Sequence, residues 1–328
     1  MSNSGSLIQD YINMPLNELM ERADTACRKV YGSAVFIRGL LEVTNYCTMN
    51  CAYCGIRRDN AKLLRYRMSN EEILQIIKQG LHRGIKSFVL QGGVDPEFQA
   101  PKLIALACDI RNSFGNDFAL TFSFGVLSYD TYRALFTAGV NRYLLRFETA
   151  DATLHEALKG TELSERIRAF MHLKEIGYEA GTGFMTGLPG DSLSSNLELL
   201  ASLEPDMIGI GPFIPHPETP LKHASCQGLE PTLRAVAISR LLFPYANIPA
   251  TTAAGTIEQN GRELALSAGA NVVMPNIGTK AYKQLYELYP GKICVSEDGF
   301  SCISCLSVRI RSVNKNLDYR RGNSRGRV

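Results

Sequence analysis

From Val35 onward, short apolar runs alternate with segments whose apolar residues recur at helical spacing. The runs at 35–43, 86–91, 117–124, 141–147, 179–186, 206–211, 247–252 and 270–275 read as strands. The segments near 69–83, 100–113, 128–138, 162–176, 192–203, 229–243, 258–268 and 279–288 read as helices. A strand followed each time by a helix returns parallel to its predecessor. Eight such units over about 250 residues predict a parallel (β/α)8 barrel of the TIM type. An open doubly wound sheet accommodates the same alternation, but eight regular units in one run favour closure. Gly84, Gly139, Gly177 and Gly269 stand where helices should stop.

Ahead of the barrel, Leu16, Leu19, Met20, Ala23, Cys27 and Val30 lie at steps of three and four. Residues 15–30 therefore predict one amphipathic helix, packed over the closed end of the main domain. The expected division is a helical extension at 1–34, a barrel at 35–290 and a C-terminal segment at 291–328 with three cysteines and a basic tail. That tail, Arg309 to Arg327, reads as a solvated, partly disordered end. The net charge of +3 is nearly balanced and argues against nucleic acid or an anionic membrane as the main partner. No run approaches the roughly 20 apolar residues of a membrane span, and Met1 to Asp10 lacks the pattern of a signal peptide. Nine cysteines in such a chain point to a reducing, cytoplasmic compartment.

Three of those cysteines fall in eight residues, Cys47-Thr-Met-Asn-Cys51-Ala-Tyr53-Cys54, directly after the first strand. Half of a zinc site is one reading. It calls for a fourth Cys or His nearby, and no His lies between Val30 and Gly80, while the next cysteine is Cys108. The other reading is a loop that wraps three corners of a four-iron cluster and leaves one iron open to a small chelating molecule. A strand that delivers this loop from its C-terminal end suits a barrel active site, and the cluster is the reading we carry forward.

The remaining strand ends are unusually polar. They present Gln91-Gly92-Gly93-Val94-Asp95, then Thr121 and Ser123, then Arg146-Phe147-Glu148, Gly187 to Gly190, Gly209 to His216, Thr251 and Thr252, and Met274-Pro275-Asn276. Glu148 can pair with Arg146 or Arg142, or meet a ligand ammonium. Arg166 suits a ligand carboxylate or the surface. Met207 and Met274 are commonly core residues, and His216 between prolines suits a rigid turn. At the far end Cys294, Cys302 and Cys305 could hold a second iron–sulfur cluster or zinc, with a fourth position left to another ligand. Cys27, Cys108 and Cys226 stand alone and read as ordinary thiols.

Together these stretches resemble the radical S-adenosylmethionine (SAM) superfamily. Nearly the whole chain is similar to the HydE family of FeFe-hydrogenase maturases. The likeness is carried by Cys47 to Asn60, Arg65-Tyr-Arg-Met68, Arg142 to Arg146, Glu148-Thr-Ala150, Gly187-Leu-Pro-Gly190, Gly209 to Pro217, Ile248 to Thr252, Gly255-Thr-Ile257 and Tyr289 to Cys294. The resemblance implies a [4Fe–4S] cluster on Cys47, Cys51 and Cys54 that binds SAM and, once reduced, cleaves it to a 5′-deoxyadenosyl radical. It places Glu148 and Arg166 on SAM, with Tyr53, Gln91, Thr121, Ser123 and Met207 beside it. It places Thr251, Thr252, Met274, Tyr286 and Tyr289 along the substrate cavity. The implied substrate is a cysteine-bound iron carbonyl cyanide unit on the way to the di-iron subcluster. The implied partners are an electron donor and the other hydrogenase maturases, in an anaerobic cell. A mutase or sulfur-inserting enzyme of the methylornithine synthase or biotin synthase kind is the alternative. Many radical SAM proteins carry Gly-Gly-Glu after strand two. This chain has Gly92-Gly93-Val94, which leaves the acid's duty to Asp95 or to Glu148.

Overall fold

A computed structural model describes residues 2–297 and 299–324. Its strands are β1 (Ala34–Ile37), β2 (Gly39–Thr44), β3 (Ser87–Gly92), β4 (Ala119–Ser123), β5 (Arg142–Leu144), β6 (Glu179–Thr182), β7 (Met185–Thr186), β8 (Met207–Ile208), β9 (Gly211–Pro212), β10 (Val272–Val273) and β11 (Asn316–Asp318). Strands β2, β3, β4, β5, β6 and β8 make one parallel sheet in chain order. Parallel bridges then carry the ring onward. Met207 pairs with Asn247, Pro249 with Val272, β10 with β1, and Leu40 with Asn276. The sheet thus returns to the strand on which it began, and the barrel expected from the alternation is formed.

Four of the expected strands differ. The runs 179–186 and 206–211 each divide, into β6 and β7 and into β8 and β9, with β7 pairing β9 at the rim. The run 247–252 contributes only the bridges at Asn247 and Pro249. Pro249 has no N–H to donate to a ladder, and Thr251 turns away to cap the helix Thr252–Ile257. The run 35–43 is broken at Arg38 because its halves have different neighbours: β1 pairs with β10 and β11, β2 with β3.

The helices follow their local signals. Ser69 and Glu72 form a capping box ahead of Asn70–His82, and Ser128, Asp151 and Ser192 each accept the N–H three residues on. Gly177, in the left-handed region, ends the helix Leu163–Ile176. Apolar side chains such as Leu41, Phe88, Leu120, Phe122, Tyr143 and Ile208 pack between sheet and helices into one core. No helix among the described residues is long and apolar enough to cross a membrane.

The N-terminal helix, Leu16–Tyr31, packs along the helix Glu230–Leu242 and against Gly261–Ser267, so it joins the outer helical layer instead of lidding the barrel. A preceding helix, Ser2–Asn13, packs on Leu193–Leu203 and Glu230–Leu242.

What fills the closed end is the C-terminal tail. After the helix Cys302–Arg311, β11 pairs with β1, and residues 321–324 run beneath the strands. The guanidinium of Arg142, fully buried, donates to Glu179 Oε2 (2.7 Å), Ser87 Oγ (3.0 Å), the carbonyls of Arg321 and Gly322 (both 3.0 Å) and Asn323 Oδ1 (2.8 Å). Asn247 Nδ2 also donates to the Gly322 carbonyl, at 2.9 Å, and the Ser324 N–H donates to Glu179 Oε1, at 3.0 Å. The expectation of a solvated tail fails up to residue 324. Its backbone carbonyls are the partners that let charged strand residues stay buried. Residues 325–327 lie outside the described residues.

Candidate active site

The cysteine loop leaves β2 at the C-terminal rim. Arg65 holds it in shape: one arm of its guanidinium donates to the carbonyls of Asn45 (2.5 Å) and Ile56 (2.8 Å), the other to those of Arg57 (2.6 Å) and Asn60 (3.3 Å). The turn after β3 passes directly beneath. A Cβ on Gly93 would overlap the Tyr46 carbonyl and lie 2.7 Å from the Cys47 Cβ, so only glycine fits. Val94 N–H then donates to Cys47 Sγ at 3.4 Å, and Thr48 N–H to the Val94 carbonyl at 2.8 Å. Gly92-Gly93 is thus a close-approach device under the cysteines.

Cys47, Cys51 and Cys54 all line one cavity of about 400 Å³ in the barrel mouth. Burial raises the Cys47 thiol; burial and the neighbouring Cys51 push Cys54 up to about 12. Cys47 and Cys54 therefore favour the thiol here unless a bound cation stabilises the thiolate. Among the described residues no three His, Cys, Asp or Glu side chains surround a single ion position. The donor set fits a cluster, in which each thiolate binds a different iron, better than one tetrahedral ion.

The residues expected beside SAM meet around the same cavity: Tyr53, Gln91, Thr121, Ser123, Glu148, Arg166 and Met207 all line it. Glu148 holds a left-handed backbone, φ 71°, which is uncommon for a residue with a side chain. Its Oε2 lies 2.7 Å from Arg146 yet has no hydrogen-bond donor of good geometry among the described residues. Burial alone would raise its carboxyl; Arg146, Lys159 and Arg166 together hold it below the usual range. An ionised, under-satisfied carboxylate at a cavity wall suits an ammonium. Arg166 donates to the Arg146 carbonyl at 3.0 Å and leaves its buried Nε without a partner. Thr121 Oγ1 is likewise buried and unpartnered. Ser123 donates to the Leu144 carbonyl at 3.0 Å.

Asp95 does not replace the missing acid. It takes Arg67 through both oxygens (2.8 and 2.9 Å) and the Thr44 hydroxyl (2.6 Å), with no exposed side-chain surface. Arg67 stacks on Tyr46, next to Cys47, at 3.5 Å. Asp95 braces the cysteine loop from below, and Glu148 is the carboxylate that the cavity receives.

Thr251, Thr252, Met274, Tyr286 and Tyr289 line the cavity further along, as do Cys294 and Cys302. Met207, buried, and Met274, packed on the Phe36 and Val272 cluster, are core residues that also line the cavity, and Met207 Sδ lies 2.9 Å from Arg38. Thr251 doubles as the helix cap described above. His216 is buried against Gly55 and serves the turn, its Nδ1 taking the Glu218 N–H. Cys294 and Cys302 are hydrogen-bonded to each other, which with Arg262 lowers Cys294 to about 6 and raises Cys302. Cys305 is exposed and lies off the cavity.

Sequence reasoning missed Glu42, Lys159 and Lys292, all on the cavity wall. Glu42 had a signal: it is the one charge inside the apolar run Leu40-Leu41-Glu42-Val43. Lys159 had none, because the helix Ala152–Lys159 itself went unread.

A closed parallel barrel with a CxxxCxxC loop after its first strand, opening on a carboxylate and arginines at the rim, defines a radical SAM protein. The Radical SAM superfamily model matches residues 41–203. The sequence is 44% identical over 301 residues, 90% of this chain and 86% of the relative, to the [FeFe] hydrogenase maturase subunit HydE of Thermotoga maritima. The chain belongs to the HydE family of the radical SAM superfamily. It is 30% identical over 271 residues to 3-methylornithine synthase of Methanosarcina acetivorans, covering 80% of this chain and 76% of that one. The crystal structure of methylornithine synthase (PylB) shares the fold, with a TM-score of 0.85 at 24% identity over 96% of this chain and 94% of that chain.

Proposed function

We propose that this chain reductively cleaves SAM and uses the resulting radical in assembly of the FeFe-hydrogenase di-iron subcluster. The observation that carries this is the convergence of Cys47, Cys51 and Cys54 with an ionised Glu148 and with Arg166 on one cavity, in a chain 44% identical to a HydE maturase. Cys47, Cys51 and Cys54 would hold a [4Fe–4S] cluster, which when bound and reduced would supply the one electron needed for reductive cleavage of SAM to methionine and a 5′-deoxyadenosyl radical. The chain's own residues do the rest. Glu148 takes the SAM ammonium and Arg166 its carboxylate, with Tyr53, Gln91, Thr121, Ser123 and Met207 packed around the nucleoside. The cavity beyond, walled by Thr251, Thr252, Met274, Tyr286 and Tyr289, holds a small organometallic substrate and keeps water from the radical.

Three further parts belong to this proposal. Residues 35–290 form the catalytic barrel, with 1–34 and 291–328 as accessory segments. Cys294, Cys302 and Cys305 form an accessory iron–sulfur site, supported by the contact of the first two and by the third lying three residues along the same helix. None of the nine cysteines is paired in a disulfide, which supports work in the cytoplasm beside an electron donor and the other maturases.

Anaerobic reconstitution, dithionite reduction and assay of 5′-deoxyadenosine test the reading. The wild-type chain should form it and Cys51→Ala should not. A chain with an intact cluster that forms none overturns the proposal. Cys302→Ala should bind less iron per chain while SAM cleavage persists; unchanged iron removes the accessory site.

A further inference from the structure

Lys159 ends the helix Ala152–Lys159, is only 8% exposed, and lines the cavity at the cysteine end. Its ammonium donates to the Tyr53 hydroxyl at 2.9 Å, between Cys51 and Cys54 in sequence. An ammonium has three donors, and this is the hydrogen bond that holds it. Among the described residues it has no ion-pair partner. Glu148, at the same end of the cavity, pairs with Arg146 instead. Buried cations in folded proteins are paired, so a buried, unpaired ammonium on a cavity wall implies an anion that arrives with the ligand.

The anion is defined by what surrounds Lys159. The end of its helix is fixed to the cysteine loop, since Ala52 N–H donates to the Leu158 carbonyl at 2.8 Å. Burial first, then the neighbouring Arg166, works against its charge, so the ammonium here wants a counter-anion, and thiolates on the cysteine loop are the anions within its reach. Of the other cations at this end, Arg146 is paired with Glu148 and donates to the Phe184 carbonyl, while Arg166 donates to the Arg146 carbonyl and is the cation assigned to the SAM carboxylate. We infer that Lys159 is a positioning residue for the iron–sulfur centre, a fixed counter-cation beside the three thiolates that makes its one-electron reduction more favourable. The inference rests on the reading that Cys47, Cys51 and Cys54 hold a cluster.

The charge balance is simple. Adding one electron, with no proton, makes the three-thiolate site one unit more negative, and an ammonium nearby favours that form. A unit charge within about 10 Å, at an effective permittivity of about 20, changes such an equilibrium about tenfold. The Tyr53 hydroxyl anchors the ammonium.

The test is an anaerobic redox titration of the reconstituted holoprotein without SAM, followed by electron paramagnetic resonance. Iron and sulfide per chain and circular dichroism are read on the same samples. Lys159→Met and Lys159→Gln should be reduced about tenfold less at a given potential, a shift of about 59 mV to the negative for one electron. Lys159→Arg, which keeps the charge, should stay within about threefold of wild type. Folded neutral variants that fail to hold the cluster while Lys159→Arg holds it also support the role. Neutral variants that titrate like wild type overturn it, as do an Arg variant shifted as far as the neutral ones and the loss of fold or cluster in all three. A wild-type chain that holds a cluster but forms no 5′-deoxyadenosine refutes the proposed function and leaves this inference standing.

Discussion

Lys292 Nζ lies 2.6 and 2.7 Å from the two carboxylate oxygens of Glu42, across 250 residues of sequence. Both side chains are nearly buried, 10% and 3% exposed, and the pair ties the C-terminal segment to β2 just before the cysteine loop. Asn276 Nδ2 (2.6 Å) and Gln91 Nε2 (3.4 Å) complete the carboxylate's shell.

Lys292→Met leaves Glu42 buried without its cation. Removing one member of a buried pair costs about 3–5 kcal/mol, whereas removing both charges is close to neutral. Denaturant unfolding of the apo chain should show that loss for Lys292→Met and recovery of most of it in the double variant with Glu42→Gln. A single variant within about 1 kcal/mol of wild type would mean that the segment is held elsewhere.

His155, fully buried, donates from Nδ1 to the Phe147 carbonyl at 2.8 Å, and its Nε2 has no partner among the described residues. Burial first, then the neighbouring Lys159, holds its pKa down to about 4. The folded pKa is below the unfolded value of about 6.5, so the folded chain binds fewer protons. The associated stability is fully present above about pH 6.5 and is lost as pH falls through 4. At 1.36 kcal/mol per pH unit this amounts to at most about 3 kcal/mol. Unfolding free energies between pH 7 and pH 4 should fall less steeply in His155→Gln than in wild type. Parallel curves would show that His155 contributes nothing to the acid limb.

The strand–helix alternation and the cysteine spacing were legible because each is a local pattern: a period of two or 3.6 residues, or three ligands in eight. The polar rim was legible because β3, β4 and β5 point their ends to one side. What was not legible depends on partners far along the chain. The basic tail has the composition of a solvated end, and nothing local says that its carbonyls will be taken by Arg142 and Asn247. Lys159 meets Tyr53 across 106 residues, and no spacing rule joins them. Asp95 follows the glycines where an acid for SAM was sought, and only Arg67 and Thr44, seen in place, give it a bracing role.

Gly93 offers a test of how closely the cysteine loop is seated. Any Cβ there overlaps the Tyr46 carbonyl and crowds Cys47, in a loop whose Asn45 carbonyl is held by Arg65 and whose Tyr46 ring is covered by Arg67. Gly93→Ala should push the loop aside without dismantling the barrel. Because the contact is with backbone, neighbouring side chains cannot relieve it, and a cost of about 1–3 kcal/mol follows from overpacking. Iron and sulfide per reconstituted chain should fall severalfold while circular dichroism stays near wild type. Full cluster occupancy would show that the loop can shift without cost to its ligand geometry.

The tail beneath the strands gives the sharpest stability prediction. A chain ending at residue 318 loses the carbonyls of Arg321 and Gly322, the Asn323 side chain and the Ser324 N–H. Arg142 would keep only Glu179 and Ser87 for a guanidinium with no exposed surface, and Asn247 and Arg38 would each lose the Gly322 carbonyl. Water can enter the opened end and take part of that load, so the cost is that of one strongly disturbed buried charge, at least about 3–5 kcal/mol. The single substitution Asn323→Ala removes one hydrogen bond to a charged group and should cost about 1.5–3 kcal/mol. Thermal unfolding should rank wild type above Asn323→Ala above the truncated chain. A truncated chain as stable as wild type would show that Arg142, Glu179 and Asn247 satisfy one another without the tail.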